Sequence, residues 1–142
     1  MMATCRSAMR FRVRYSDTDR MGTASNDRVL DWFEHGRTEL LRDIGLPYAQ
    51  VEARGVFLPV AEAHVKYLGR AGYDDLLEIT TTAQMVGRAR LRCDARLVQA
   101  DGGAPVAEGY TIHAFVDSAG RPIRPPQWFL EALQGSGPDA PP

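Results

Sequence analysis

Between Tyr15 and Gly22 the chain reads Tyr-Ser-Asp-Thr-Asp-Arg-Met-Gly, so the carboxylates of Asp17 and Asp19 sit just ahead of Ser25, Asn26 and Asp27. Each of those three side chains offers an oxygen that can cap a helix. The first N–H groups of a helix have no partner of their own. Together with the positive end of the helix dipole they can hold an oxyanion, while a nearby carboxylate activates water or attacks directly. Acyl transfer is the chemistry this arrangement suits. The same Asp-Thr-Asp run also reads as ordinary turn and capping chemistry, and residue types alone leave both readings open.

Those groups need elements to position them. Phe11, Val13 and Tyr15 alternate with Arg10, Arg12 and Arg14, the period of a half-buried strand. A polar, turn-prone stretch over 16–26 follows, and a helix is predicted to start near Asp27 or Arg28. Val29, Phe33, Gly36, Leu40 and Ile44 form its apolar stripe, widened by Leu30, Trp32 and Leu41, and Gly45 with Pro47 ends it. Gly36 costs about 1 kcal/mol against Ala inside a helix, which points to close approach of a sheet backbone. A short second helix fits Tyr48 to Arg54, closed by Gly55.

From there the period changes to two. Phe57, Ala61, Ala63, Val65 and Tyr67 oppose Glu62, His64 and Lys66. Leu77 to Met85 makes the next strand, Ala89 to Leu97 the next after a turn at Gly87, and Val106 to Val116 the last after Asp101-Gly102-Gly103. Four long strands after one helix are predicted to form an antiparallel meander, an α+β arrangement. Pro122, Pro125 and Pro126 exclude a further strand interior, and Gln127 to Leu133 fits a short terminal helix. The expected organisation is a disordered N-terminus over 1–9, one domain over 10–133 and a disordered tail over 134–142.

A chain of 142 residues is long enough for one core without staples. Seventeen Lys plus Arg against eighteen Asp plus Glu give a net charge of -1, which offers no pull toward nucleic acid or anionic membrane. No secretion signal or membrane span is expected. Cys5 and Cys93 lack metal-ligand spacing, so a reduced, cytoplasmic protein without a metal is expected. His35, His64 and His113 share no metal spacing and no nearby thiol or serine pattern, and read as surface or pocket-wall residues.

The run Tyr15 to Gly22, followed by Leu30-Asp-Trp-Phe-Glu-His-Gly-Arg37, resembles the hotdog-fold thioesterases of the 4-hydroxybenzoyl-CoA thioesterase family. Tyr67-Leu-Gly-Arg-Ala-Gly-Tyr-Asp-Asp-Leu76 is similar to that family's next landmark. The resemblance implies a hotdog fold, with one long central helix wrapped by an antiparallel sheet of five or so strands. It implies hydrolysis of an acyl-CoA or acyl-carrier-protein thioester to a free acid and a thiol, by a carboxylate-assisted mechanism that uses no cofactor. The family's catalytic carboxylate falls on Asp19, as nucleophile or general base, with Asp17 structural. The backbone N–H of Asn26 would bind the thioester oxygen, and Tyr15 completes the candidate catalytic set.

Many relatives carry His where this chain has Asn26, yet a thiol of pKa near 8.5 leaves with little protonation. Glu34 is the reserve catalytic carboxylate, on the helix where some hotdog enzymes place theirs; it also fits a weak i,i+3 pair with Arg37. Arg88, Arg90, Arg92 and Arg96 read as the solvated face of a strand. Alternatively, Arg88 and Arg90 near the hairpin grip the phosphates of coenzyme A. A homodimer with the acyl-CoA site at the subunit interface is implied, possibly paired into a tetramer. The strand Ala89 to Leu97 is expected to be an edge that such pairing covers. The competing reading is a non-catalytic acyl-CoA binding protein on the same fold.

Overall fold

Five period-two segments become strands and three apolar-striped segments become helices in the computed structural model, which describes residues 4–135. The strands are β1 (Thr4–Arg12), β2 (Val60–Tyr67), β3 (Leu76–Val86), β4 (Arg90–Gln99) and β5 (Pro105–Ala114). The helices are α1 (Asn26–Asp43), α2 (Tyr48–Ala53) and α3 (Gln127–Gly135), and a single 3₁₀ turn covers Tyr15–Asp17. β1 starts at Thr4, so residues 4–9 belong to the sheet and not to a disordered N-terminus. Cys5 and Ser7 alternate inward ahead of Phe11, but the short run of Arg and small residues hid that period. Residues 1–3 and most of the expected tail, 136–142, lie outside the described residues.

The sheet is antiparallel throughout, in the order β1-β3-β4-β5-β2. Only β3, β4 and β5 form a meander; β2 pairs with β5 at the far edge, correcting the four-strand meander. Every strand carries the same period of two, so periodicity contains no information on which strand pairs with which. The strand Ala89 to Leu97 is likewise corrected: as part of β4 it is paired on both sides, and the edges are β1 and β2.

α1 lies across the inner face of this sheet. It buries Val29, Trp32, Phe33, Gly36, Leu40 and Leu41, while Leu30 at 41 % exposure turns outward instead of widening the stripe. At Gly36 an added Cβ would stand 2.5 Å from Thr81 Oγ1 and 3.1 Å from Ile79 Cδ1. The close approach is therefore to side chains of β3, not to its backbone. Gly109 serves the same packing from β5, since a Cβ there would overlap the His64 carbonyl oxygen and press on the Phe33 ring.

The core forms two clusters along α1. Val13, Val29, Trp32, Phe33, Leu77 and Leu97 belong to the one at its N-terminal half. Leu40, Leu41, Leu91, Phe115, Phe129 and Leu133 belong to the other, which α3 helps to close. At roughly 1.5–3 kcal/mol for each large side chain buried, these two clusters supply most of the force that holds helix to sheet.

Candidate active site

The loop between β1 and α1 is built on Asp17. This carboxylate is 1 % exposed and accepts the Arg14 backbone N–H at 2.8 Å and Arg14 Nη2 at 3.2 Å, with Arg28 Nε 3.8 Å away. Its carbonyl accepts Ser25 N–H at 3.0 Å, which ties the loop to the start of α1. Asp17, for which a structural role is expected, is thus buried and bonded within the loop.

Asp19 lies one turn further on. Its N–H donates to Thr23 O at 2.9 Å, and one carboxylate oxygen accepts Met21 N–H at 2.8 Å in an Asx turn. Gly22 closes the turn at φ 78°, a conformation that favours glycine. The second carboxylate oxygen has no hydrogen bond among the described residues. The chain then returns beside the loop that follows β2, where Ala24 N–H donates to Ala71 O at 2.7 Å.

At the start of α1, Ser25 stands in the N-cap position without a side-chain cap bond, and the first backbone bond is Arg28 N–H to Ser25 O at 3.0 Å. The N–H groups of Asn26 and Asp27 are thus left without a backbone carbonyl among the described residues. The Tyr67 hydroxyl donates to Asn26 O at 2.9 Å and fastens the end of β2 to the helix start. A cavity of about 370 Å³ opens here, lined by Asp19, Asn26, Trp32, Tyr67, Arg70 and Val106 among others. It brings a carboxylate and the Asn26 start of the helix to one space of mixed polar and apolar lining.

The other candidates lie elsewhere. Tyr15 is 77 % exposed, packs edge-on against Tyr73 at 5.6 Å and does not line this cavity. The 3₁₀ turn breaks the strand period after Val13 and swings Tyr15 outward. Glu34 lines a different cavity, about 210 Å³, with Arg37, Thr38, Tyr48 and Leu58. Arg88 and Arg90 stand at the β3–β4 hairpin, the opposite end of β3 from Asp75, whose carbonyl accepts Val13 N–H at 2.9 Å. Eleven residues of strand separate the two ends, roughly 35 Å. Within one chain these arginines do not meet Asp19. Arg92 is tied to Asp94 at 3.0 Å and stacks on Tyr110 at 4.0 Å, and Arg96 pairs with Glu108 at 3.2 Å.

Of the histidines, His35 and His64 are exposed. His113 is fully buried, which corrects the surface or pocket-wall reading. It lies between Thr111 Oγ1 at 2.8 Å and Leu58 O at 2.9 Å. Burial, reinforced by the Arg37 charge, pushes it down to about 4. Burial pushes the Cys5 thiol up to about 11 and Cys93 up to about 12. Neither is a nucleophile at neutral pH. Among the described residues no group of three or more His, Cys, Asp or Glu is placed to hold a metal ion, and no helix is long and apolar enough to cross a membrane.

Sequence reasoning missed Tyr67, Trp32 and Arg70 as cavity residues. Tyr67 closes a strand opposite the charged Lys66, but nothing local shows that this strand end meets the start of α1.

Residues 13–133 match the family model described as the Thioesterase-like superfamily. A putative acyl-CoA thioesterase of Bacillus subtilis, YneP, is 36 % identical over 69 residues, which are 49 % of this chain and 50 % of that relative. The chain thus aligns with only half the length of that curated relative. The crystal structure of a hypothetical protein from Thermus thermophilus superposes with a TM-score of 0.84 at 32 % identity, covering 92 % of this chain and 97 % of that one. A 4-hydroxybenzoyl CoA thioesterase variant in complex with 4-hydroxybenzoyl CoA superposes with a TM-score of 0.81 at 22 % identity, covering 90 % and 98 %. At that identity the likeness is one of fold.

Proposed function

The chain belongs to the Thioesterase-like superfamily and has the hotdog fold, and from that premise we propose that it hydrolyses an acyl-CoA or acyl-carrier-protein thioester to a free acid and a thiol. The observation that carries this reading is the single cavity shared by Asp19 and the open start of α1. The thioester carbonyl oxygen sits on the N–H of Asn26, and the carbonyl carbon stands beside Asp19. Asp19 either takes the proton of an attacking water or attacks the carbonyl itself, leaving water to open the resulting anhydride. Negative charge develops on the carbonyl oxygen, where the helical N–H and dipole stabilise it. The C–S bond breaks, the sulfur leaves as a thiolate that needs little protonation at neutral pH, and the acyl group departs as the acid. Tyr15, packed edge-on against Tyr73, shapes the outer wall of the loop and does not touch the reacting atoms.

We place a second copy of the chain against β2. Val60 at 51 % and Tyr67 at 48 % exposure form, with Ala63 and Val65, an apolar inner stripe on a strand with an unpaired edge. Soluble proteins cover such edges. A strand pairing with its own copy about a two-fold axis must run antiparallel, so the partner's Val60 end comes beside Tyr67 of this chain. The β3–β4 hairpin of the partner moves toward Asp19 by the same operation, and the partner's Arg88 and Arg90 become the groups that meet coenzyme A phosphates. The buried, unpaired cysteines support a reducing, cytoplasmic setting.

The test is release of free thiol from a panel of acyl-CoA esters, followed with a thiol-reactive dye. Cys5 and Cys93, buried and held protonated, leave the dye to the product. Catalytic thiol release is expected. Tight binding of the esters with no thiol released would make the protein a non-catalytic acyl-CoA binder.

A further inference from the structure

The cavity of about 210 Å³ beside Glu34 takes no part in the chemistry above, yet it holds an uncompensated cation. Arg37 is half-buried, donates from Nη1 to Thr111 Oγ1 at 3.4 Å, and forms no ion pair among the described residues. The bonds behind it have one direction. The Leu58 carbonyl can only accept, so His113 carries its proton on Nδ1 and donates it across 2.9 Å. Nε2 is then an acceptor, and the Thr111 hydroxyl donates to it at 2.8 Å while accepting from Arg37.

This chain of bonds holds the guanidinium against the cavity with most of its donors unused. The Tyr48 hydroxyl accepts Leu58 N–H at 3.0 Å and keeps its own proton for a ligand. Leu41, Leu58, Pro59 and Val60 supply the apolar part of the wall, and Thr38 adds to its polar part. Glu34 shares the cavity, but it is exposed, and solvent screens its charge. A half-buried guanidinium flanked by apolar side chains binds a carboxylate best, through two parallel N–H···O bonds.

The cavity is lined by Leu58, Pro59 and Val60, at one end of β2, whereas the Asp19 cavity is lined by Tyr67 and Gly69 at the other. Antiparallel pairing of two β2 edges sets the first cavity of one copy against the second of its partner, both on the helix side of the sheet. We infer that the partner's Arg37 holds the far end of the acyl group whose carbonyl sits at Asp19, and that the preferred acyl group ends in a carboxylate. This inference rests on the thioesterase reading and on the edge-paired dimer.

The experiment compares kcat/KM for matched straight-chain CoA esters, one member of each pair ending in a carboxylate and the other in a methyl group. At the chain length that spans both cavities, a preference of about tenfold or more for the carboxylate is expected. Arg37→Gln should abolish it and Arg37→Lys should keep part of it, which also separates loss of the charge from loss of folding. Mixed dimers of one Asp19→Asn subunit with one Arg37→Gln subunit contain one site with both native groups if Arg37 acts across the interface. They should then recover the parent's preference; mixed dimers that keep the preference of Arg37→Gln overturn the inference. Thiol release with the same preference in parent and Arg37→Gln overturns it too, while leaving the thioesterase reading intact. If the parent releases no thiol from any ester, that reading fails. Equilibrium binding of the two ester series then decides, and an unchanged ratio in Arg37→Gln overturns the inference.

Discussion

The two ends of β2 close two cavities on the same side of the sheet, and their polar groups are spent in opposite ways. At the Tyr67 end, Asp19 gives one oxygen to a local turn and keeps the other, and the first N–H groups of α1 have no backbone partner. At the Val60 end, Thr111 and His113 are saturated by each other, Leu58 and Arg37, and the guanidinium and the Tyr48 hydroxyl are left with spare donors. Unspent hydrogen-bonding capacity at the first end is what a developing charge needs. Saturation at the second makes a stiff support that holds one cation in place.

The largest break in this comparison comes from Asp19→Asn, expected to lower kcat about 10²- to 10⁴-fold while ester binding persists. Steady-state thiol release at saturating ester measures it. Full turnover in Asp19→Asn together with loss in Glu34→Gln would move the chemistry to the Val60 end.

Protonation tests the saturated end. His113 titrates at about 4 in the folded chain against an ordinary 6.5. Between those values the unfolded chain binds a proton that the folded one refuses, so stability rises with pH across that window. The contribution is fully present above pH 6.5 and lost as pH falls toward 4, about 3 kcal/mol at most. Urea unfolding at both ends of the window should show it, and His113→Gln, which can replace both hydrogen bonds, should flatten the slope. An identical slope in parent and variant would remove His113 as the cause.

Asp17→Asn should act on the loop and not on the reaction. Losing the charge-assisted bonds to Arg14 and the ion pair with Arg28 is expected to cost about 1.5–3 kcal/mol of stability, while kcat per folded molecule falls far less than in Asp19→Asn. Denaturant midpoints alongside active-site-normalised rates separate the two. The smallest effect expected is that of Arg88→Ala or Arg90→Ala, a rise of a few-fold in KM for CoA esters and less for short thioesters lacking the nucleotide. Equal effects on both substrates would return these arginines to the solvated face and weaken the edge-paired dimer.

Much of the site was legible because its first half is contiguous. Asp17, Asp19 and Asn26 lie within ten residues, so a turn and a helix start suffice to bring them together, and their residue types announce both. Tyr67 and Arg70 arrive from another strand and its loop, and no local pattern reports a contact made across forty residues. Tyr15 misled for a related reason: two positions beyond Val13 it keeps the strand's phase in sequence, yet the 3₁₀ turn has already ended the strand. Leu30 misled because an apolar stripe has soft margins, and only the width of the opposing sheet decides which flanking residue is covered.

What the sequence alone determined is the set of local shapes: where period two gives way to a helical stripe, where glycine and proline stop each element, and which charged turn precedes the helix. These depend on neighbours along the chain. Tertiary structure alone decided the rest. It placed β2 on the far edge beside β5, made β4 an interior strand, buried His113 beneath Arg37 and separated Arg88 and Arg90 from Asp19 by the length of a strand. Strands with the same alternation are interchangeable until side chains choose partners by volume. Gly36 fits Thr81 and Ile79, and Gly109 fits Phe33, only in one arrangement of helix on sheet.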